Sequence, residues 1–309
     1  SFSWRVRVVS GKQQGATGPG EVDRAEGTGR GLRRRDVLAS SLVLGFGAAG
    51  ASWAPAAAAA AVGDSVLPAT PEAQLRDVVR LQGSLREEDV PWWFTGVIFA
   101  VTGDHETPRP LLRFEGMEIY WFAHLADGYL LGGNTVTFFR DFDTHEYLAE
   151  LRNPWTERVD KVKPAVQGGN LGFKYSTEGI WPARLDGTAF AEPRRAPLAL
   201  QWHGIGEHVW LQHQTIYPPG MPPMHGQRQS MFTSRRAIAD RKATRLPATF
   251  SSTVFMGWPK WMDMAERPGH VVWHAAGAKL RGIEELPREY RDRAEREFPE
   301  RLTARPKPA

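Results

Sequence analysis

Apolar positions first recur at helical spacing in TPEAQLRDVVRLQGSL, residues 70–85. Thr70 is a suitable N-cap and Pro71 fits the first helical position. Leu75, Val78, Val79 and Leu81 then recur at helical spacing, because Val78 and Val79 follow Leu75 by three and four residues and Leu81 follows Val78 by three. This pattern predicts a short amphipathic helix at the start of the folded domain.

The period changes to two in the next three segments, which are WWFTGVIFAVTG (92–103), RPLLRFEGMEIYWFAHL (109–125) and DGYLLGGNTVTFFRDFD (127–143). All three are rich in β-branched and aromatic residues and are separated by short turns. Strands that follow one another without intervening helices indicate an antiparallel meander. Gly116, Gly132 and Gly133 inside these segments predict bulges or bends that curl the sheet.

Further strands are predicted at residues 206–219, 248–258 and 269–277, with a strand pair hinged at Asn153–Pro154. A charged helix follows near the end of the chain, and residues 301–309 read as a disordered tail. We therefore expect one mainly β domain of the β-rich α+β class over residues 62–300. Its antiparallel meander is expected to curl into a calycin-like or lipocalin-like barrel with peripheral helices.

Charge argues against a nucleic-acid partner. Eight of the 39 Lys and Arg and four of the 35 Asp and Glu lie in residues 1–61, so the remainder carries 31 of each and is formally neutral. The net charge of +4 thus comes from the first segment of the chain. A protein that binds the phosphate backbone is expected to keep a basic stripe on its folded domain, and none remains here.

Residues 1–61 have the pattern of an export leader. Three arginines, Arg33 to Arg35, precede a Gly/Ala-rich apolar run and an alanine stretch with small-residue cleavage sites. The twin arginine followed by Asp36, Val37 and Leu38 resembles a Tat signal. We expect a periplasmic or secreted protein that meets the Tat translocase during export and has no stable membrane insertion after cleavage. An N-terminal membrane anchor is the alternative.

The chain has no cysteine, which excludes disulfides, thiolate metal sites and a cysteine nucleophile. No phosphate loop or dinucleotide fingerprint is present, so no nucleotide cofactor is expected. His203, His208 and His213 are five residues apart, and alternation along a strand puts the middle one on the opposite face. This spacing is poor for a metal site, and we predict neither a metal nor a cofactor.

Charged side chains inside apolar strands are candidates for a binding site, because burying a charge is costly unless it is paired or functional. Arg113 and Glu115 share one face of their strand, and Arg152 stands before the Asn153–Pro154 hinge. We predict these three as polar anchors for a substrate. The alternative is a buried structural pair between Arg113 and Glu115.

The stretch WPKWMDMAERPGHVVWHAAGAKL, residues 258–280, concentrates tryptophan and methionine. Trp258, Trp261 and Met262 fall on one helical stripe and suit a pocket for a hydrophobic or aromatic ligand, although they suit a core equally well. A histidine fits acid–base chemistry near neutral pH, and we select His213 and His274 as catalytic candidates.

This stretch, together with LRNPWTE (151–157), GMEIY (116–120) and Leu286–Pro287, resembles a bacterial family catalogued as domain of unknown function 1838. The resemblance spans roughly Leu75 to Pro299. Members often carry Tat-type signals, and the family brings no established reaction. Trp155 lies in one of the shared motifs, and we add it to the predicted substrate-binding residues.

The function expected from these observations is an exported protein that encloses a small hydrophobic or aromatic molecule and acts as an acid–base isomerase, cyclase or lyase. Two alternatives stay open. The first is a non-catalytic carrier that uses the same cavity, and the second is a metal-dependent oxidase or hydrolase.

Overall fold

The computed structural model describes residues 66–103, 107–216, 224–264 and 267–303. The predicted leader, residues 1–61, lies outside the described residues. Four α-helices are present in the described part of the chain: α1 (Pro71–Gln82), α2 (Arg235–Ala239), α3 (Arg288–Glu297) and α4 (Glu300–Thr303). Two 3₁₀ turns cover Lys260–Met262 and Ile283–Glu285.

Thirteen strands occupy most of the remaining described residues. They are β1 (Val90–Val101), β2 (Arg109–Leu125), β3 (Gly128–Arg140), β4 (Glu150–Arg152), β5 (Val159–Lys161), β6 (Ala165–Gln167), β7 (Leu171–Ser176), β8 (Gly179–Arg184), β9 (Gln201–Ile205), β10 (His208–Ile216), β11 (Met224–Ser234), β12 (Thr249–Met256) and β13 (His270–Lys279). The fold is thus β-rich, as the sequence pattern predicts.

An eleven-stranded sheet forms the centre of the fold, in the order β8-β7-β3-β2-β1-β13-β12-β11-β10-β9, with β6 also paired to β3. Neighbouring strands run antiparallel, which confirms the predicted meander of β1, β2 and β3. The first and last strands along the chain are joined where β1 pairs with β13. Strands β4 and β5 form a separate hairpin at the predicted Asn153–Pro154 hinge.

The helix α1 begins as its sequence predicts. The hydroxyl of Thr70 accepts a hydrogen bond from the Ala73 N–H, and Pro71 occupies the first turn. Its apolar stripe, including Val78, Val79 and Leu81, is buried in the largest core cluster. This burial fixes α1 against one face of the sheet.

We call the face of the sheet that carries Phe94, Phe114 and Trp273 the inner face, and the face that carries Thr95, Glu115 and His274 the outer face. The largest core cluster combines α1 with side chains from strands near both ends of the strand order. They are Phe173 and Tyr175 of β7 on one side, and Val209 and Leu211 of β10 with Met231 of β11 on the other. Distant strands can share one core only if the sheet curves strongly around α1.

The two ends of the strand order, β8 and β9, have no ladder between them in the described residues. The segment that leads into β9 nevertheless contacts the β7–β8 turn, since the N–H groups of Ala196 and Leu198 donate to the carbonyls of Glu178 (3.0 Å) and Thr177 (2.8 Å). The sheet is therefore strongly curved, with irregular backbone between its ends.

The outer face of β2 and β3 is covered by α3. The Tyr290 hydroxyl donates to the Val136 carbonyl (2.7 Å) and accepts from the Met117 N–H (3.0 Å), so it lies between two cross-strand partners. Residues 301–303 of the expected disordered tail belong to α4, where Leu302 is buried and Arg301 donates to the Asn134 side chain (3.1 Å). Residues 304–309 lie outside the described residues.

Candidate functional site

A cavity lies on the inner face between β2, β1, β13, β12 and β11. Its apolar wall consists of Trp92, Phe94, Phe114, Met231, Phe250, Val254, Trp273 and Ala275, and its polar groups belong to Glu118, Tyr120, Gln227, Gln229 and Ser252. The cavity volume is about 20 Å³, which is room for about one water molecule. A small number of polar groups in an aromatic cavity is typical of ligand sites.

The acidic group of this cavity is Glu118, in the middle of β2. Its backbone neighbours are Trp92 of β1 and Thr135 of β3, and only 6% of the residue is exposed. Burial raises the pKa of Glu118 to about 8, although the hydrogen bonds that it accepts from Tyr120 and Thr135 act in the opposite direction. The carboxyl group is therefore mostly protonated at neutral pH and can give up its proton close to that pH.

The opposite wall carries a group of amides and a hydroxyl. The Gln227 Nε2 donates to the Gln229 Oε1 (3.2 Å) and to the Ser252 Oγ (3.3 Å). Its carbonyl oxygen, Oε1, is buried and has no hydrogen-bond partner among the described residues. A buried acceptor without a donor is costly, and beside a cavity it is suited to accept a hydrogen bond from an enclosed molecule.

The end of α1 closes the cavity behind Trp92. The Trp92 indole N–H donates to the Gln82 carbonyl (2.9 Å), and the Tyr175 hydroxyl donates to the Gln82 side chain (2.7 Å). The Lys279 Nζ lies 5.3 Å from the centroid of the Trp92 ring and donates to the carbonyls of Arg80 (3.0 Å) and Gly83 (3.1 Å). Burial lowers the pKa of Lys279 well below its ordinary value. These contacts fix the position of the Trp92 ring in the cavity wall.

The two histidines that were predicted as catalytic lie on opposite faces of the sheet. His213 follows the buried Val209 and Leu211 at alternate positions of β10, so it is on the inner face, and its backbone partner is Gln229. His274 is exposed on the outer face, between Val97 and Thr253. The structure does not bring the two side chains together.

The predicted polar anchors do not line the inner cavity. Arg113 and Glu115 share a face, as predicted, but it is the outer face, and they do not form the ion pair that was the alternative. The Glu115 carboxylate instead accepts from Arg140 (2.7 Å) and from the Tyr147 hydroxyl, while the Arg113 Nε donates to the Phe142 carbonyl (3.0 Å). Arg152 is exposed at the end of β4.

The tryptophan-rich stretch packs beside the cavity and not around it. Trp258 and Trp261 pack against the core cluster that includes Phe139 and Trp273, and the ring centroids of Trp155 and Trp258 are 5.0 Å apart. Met262 is fully buried in the 3₁₀ turn, which replaces the predicted helical turn. Of the three tryptophans between 258 and 280, Trp273 is the one that lines the cavity. The substrate-binding roles of Trp155, Trp258, Trp261 and Met262 stay predictions.

Sequence reasoning missed Glu118, Gln227 and Gln229. A signal for Glu118 was present, because it is a carboxylate between the apolar residues Met117 and Ile119 of a strand. Glu118 lies three positions after Glu115, an odd number, so the alternation of side chains along the strand places the two on opposite faces. Gln227 and Gln229 stand two residues apart, which is the spacing of one strand face.

Among the described residues, no three His, Asp or Glu side chains are arranged so that they could hold a metal ion. In the same part of the chain, no helix is both long and apolar enough to cross a membrane.

Comparison with known families gives a match. The family model described as "Protein of unknown function (DUF1838)" covers residues 87–167 and 226–308, more than half of the chain. The chain belongs to this family. Neither curated proteins nor solved structures gave a match.

The DUF1838 match is divided, and residues 168–225 with strands β7 to β10 fall between its two segments. Every residue that lines the inner cavity, including Glu118 and Gln227, lies inside the matched segments. His213 and the helix α1 lie outside them. The cavity is thus built from the part of the chain that defines the family.

Proposed function

We propose that this DUF1838 protein encloses a small, largely apolar molecule on the inner face of its sheet. We further propose that Glu118 is the acid–base catalyst of an isomerisation, cyclisation or elimination. The observation that carries the proposal is the position of the Glu118 carboxyl group in an aromatic cavity, where burial raises its pKa to about 8. An acid with a pKa near the working pH is efficient both in giving and in taking a proton.

Two walls of the cavity have complementary roles in this proposal. Protonated Glu118 donates to a basic atom of the substrate, such as a carbonyl oxygen, and the Gln227 Oε1 accepts a hydrogen bond from a substrate donor. In an isomerisation, Glu118 gives its proton to one atom of the substrate, and the resulting Glu118 carboxylate takes the proton that another atom of the substrate loses. No further reactant is needed, and the apolar surroundings exclude competing water.

The volume of the cavity sets a condition on its ligand. A space of about 20 Å³ accepts a molecule larger than water only if wall side chains change rotamer. Gln227, Gln229 and Met231 of β11 have unbranched side chains, which rearrange more readily than the aromatic rings opposite. We propose that β11 is the adaptable wall and that β1 and β2 are the rigid one.

We also propose that the curved sheet works as an incomplete barrel of the calycin or lipocalin type, with α1 closing one end. The shared core of β7, β10 and α1 supports this proposal, as do the hydrogen bonds between the β7–β8 turn and the segment before β9. In such an enclosure a ligand contacts the inner face of several strands at once.

A test of function compares the wild-type protein with Glu118→Gln and with His274→Gln as a matched control on the outer face. Each protein is purified from its own host, and the bound small molecules are extracted, separated by chromatography and weighed by mass spectrometry. Separation is necessary because an isomerase does not change the mass of its substrate. We expect Glu118→Gln to retain an unconverted molecule, which wild-type protein converts on mixing and which His274→Gln does not accumulate.

The same experiment separates the enzyme from the non-catalytic carrier. If wild-type protein and Glu118→Gln hold the same molecule and neither converts it, the protein is a carrier. If no apolar molecule is extracted from any of the three proteins, enclosure itself is refuted.

For the leader, we propose Tat-dependent export to the periplasm or exterior, on the basis of the Arg34–Arg35 pair and the following apolar run. Replacing both arginines with lysine is expected to leave the protein in the cytoplasmic fraction. Export that continues unchanged in the double variant, or in a host that lacks the Tat translocase, would refute this route.

A further inference from the structure

A second cavity, larger than the inner one, lies on the outer face of β1, β2 and β3. Its volume is about 350 Å³, and its polar lining consists of Thr95, Arg113, Glu115, Arg140 and His145. A space of this size is comparable with that of small-molecule sites, which begin at roughly 300 Å³. It lies across the sheet from Glu118 and is therefore separate from the proposed catalytic cavity.

Two arginines face each other in this cavity. Arg113 of β2 and Arg140 of β3 are direct cross-strand partners, an arrangement that is destabilising for like charges unless anions compensate it. Arg140 is compensated, because its Nη2 contacts the carboxylates of Glu115 (2.7 Å) and Glu289 (2.9 Å). Its guanidinium also lies 3.7 Å from the centroid of the Tyr147 ring.

Arg113 has no carboxylate partner among the described residues. Its Nε donates to the Phe142 carbonyl (3.0 Å), and its guanidinium lies 4.9 Å from the centroid of the Phe142 ring. These contacts fix the plane of the group but leave its two terminal nitrogens without a hydrogen-bond partner in the described part of the chain. A guanidinium whose orientation is fixed, and whose two terminal nitrogens can still donate, has the geometry for a bidentate hydrogen bond to a carboxylate.

The loop that follows β3 places His145 at the same cavity. The Asp141 carboxylate accepts from the N–H groups of Asp143 (3.0 Å) and Thr144 (2.7 Å), and the Arg140 Nη1 donates to the His145 carbonyl (2.9 Å). His145 has a φ of 65°, in the left-handed region, which is uncommon for a residue other than glycine. The loop therefore holds His145 in a fixed position as a further hydrogen-bonding group.

We propose that this outer cavity binds the carboxylate of a small organic acid. Arg113 supplies the bidentate contact, and Thr95 and His145 contact the rest of the molecule. Glu115 and Glu289 already compensate Arg140, so a ligand with a single negative charge compensates the remaining guanidinium, that of Arg113. This inference does not depend on catalysis by Glu118.

Isothermal titration calorimetry of the full-length protein tests the proposal, with sodium benzoate as the monocarboxylate probe and inorganic phosphate as the competing oxyanion. The variants are Arg113→Gln, Arg113→Lys and, as a matched control, Arg109→Gln, which removes an exposed arginine from the same strand. Thermal unfolding of each variant shows whether it is folded before it is titrated.

We expect benzoate to bind wild-type protein at one saturable site and to bind Arg113→Gln about tenfold or more weakly, because a bidentate charged contact is lost. Arg113→Lys keeps the charge but not the planar group, and its affinity is expected to lie between those two. Arg109→Gln should bind like wild-type protein. Absence of saturable binding, equal loss in the Arg109 and Arg113 variants, or tighter binding of phosphate than of benzoate would each overturn the proposal.

Discussion

Glu118 shows how one buried side chain couples protonation to folding. In the unfolded chain its pKa has the ordinary value of 4.5, and burial in the folded protein raises the pKa to about 8. The folded state therefore holds the proton more tightly than the unfolded state does. The stabilisation linked to this proton is complete below about pH 4.5 and is lost as the pH rises through about 8.

We expect Glu118→Gln to remove this pH dependence, because glutamine resembles the protonated carboxyl group and does not ionise. Between pH 5 and pH 9, the free energy of unfolding of wild-type protein should fall relative to that of the variant by on the order of a few kcal/mol. Urea unfolding of both proteins across this range measures the difference, and other titrating groups cancel because they are common to both. Parallel curves would show that Glu118 is not a buried acid.

Gly96 illustrates a second constraint on single residues, namely close approach between strands. A Cβ at this position would collide with the carbonyl oxygen of His274 and with the ring of Phe114. We expect Gly96→Ala to lower the free energy of unfolding by roughly 1–3 kcal/mol, since neither the backbone nor the packed ring can yield easily. Gly133→Ala, where the nearest atom is 3.2 Å from the added Cβ, should cost less in the same unfolding assay.

Buried polar side chains connect secondary-structure elements through hydrogen bonds. Asn153 joins the β4–β5 hairpin to the 3₁₀ turn at Lys260–Met262. Its side-chain N–H₂ donates to Asp160 (3.0 Å) and to the Met262 carbonyl (3.1 Å), and its oxygen accepts from the Trp155 N–H (3.0 Å). The tryptophan-rich stretch owes its position to this amide as well as to apolar packing.

Replacing Asn153 with alanine is expected to destabilise the protein by roughly 2–4 kcal/mol, because several buried groups lose their partners together. Asn170→Ala is the control, since Asn170 is exposed and its side chain accepts a bond of 3.3 Å from the Leu185 N–H, which the Asn170 backbone carbonyl also accepts. Denaturant unfolding, followed by tryptophan fluorescence, measures both. Similar small losses in the two variants would mean that the hairpin is held by its apolar contacts alone.

The molecule as a whole is held together by contacts between parts that are far apart in the chain. Arg80 of α1 is fully buried, pairs with Asp77 (2.9 Å) and donates to the carbonyls of Ala243 (2.7 Å) and Asp240. The helix α1 lies outside the segments matched by the family, yet it fills the core beneath the curved sheet.

Arg80→Gln is expected to lower the free energy of unfolding by roughly 3–5 kcal/mol, because the Asp77 carboxylate stays buried with less compensation and several carbonyls lose their donor. Arg76→Gln serves as the control, since Arg76 also contacts Asp77 but is 35% exposed, and it should cost below about 1 kcal/mol. Equal effects in thermal and urea unfolding would argue that α1 is a peripheral element.

Local pattern was sufficient to predict α1 with its cap, the β1–β3 meander, the hinge at Asn153–Pro154 and the strand that became β13. These features depend on spacing along the chain, which is visible without long-range contacts. The shared motifs also identified the family. Pattern predicted that Arg113 and Glu115 share one face of their strand.

Which face points inward was decided only by tertiary packing. Period two divides β2 into two sets of side chains, and the choice between them depends on where α1, α3 and the distant strand β11 pack. That choice put Glu118 in the inner cavity, and it put Arg113 and Glu115 on the outer face. Burial then created the raised pKa of Glu118, which the sequence cannot display because desolvation is a property of the folded surroundings.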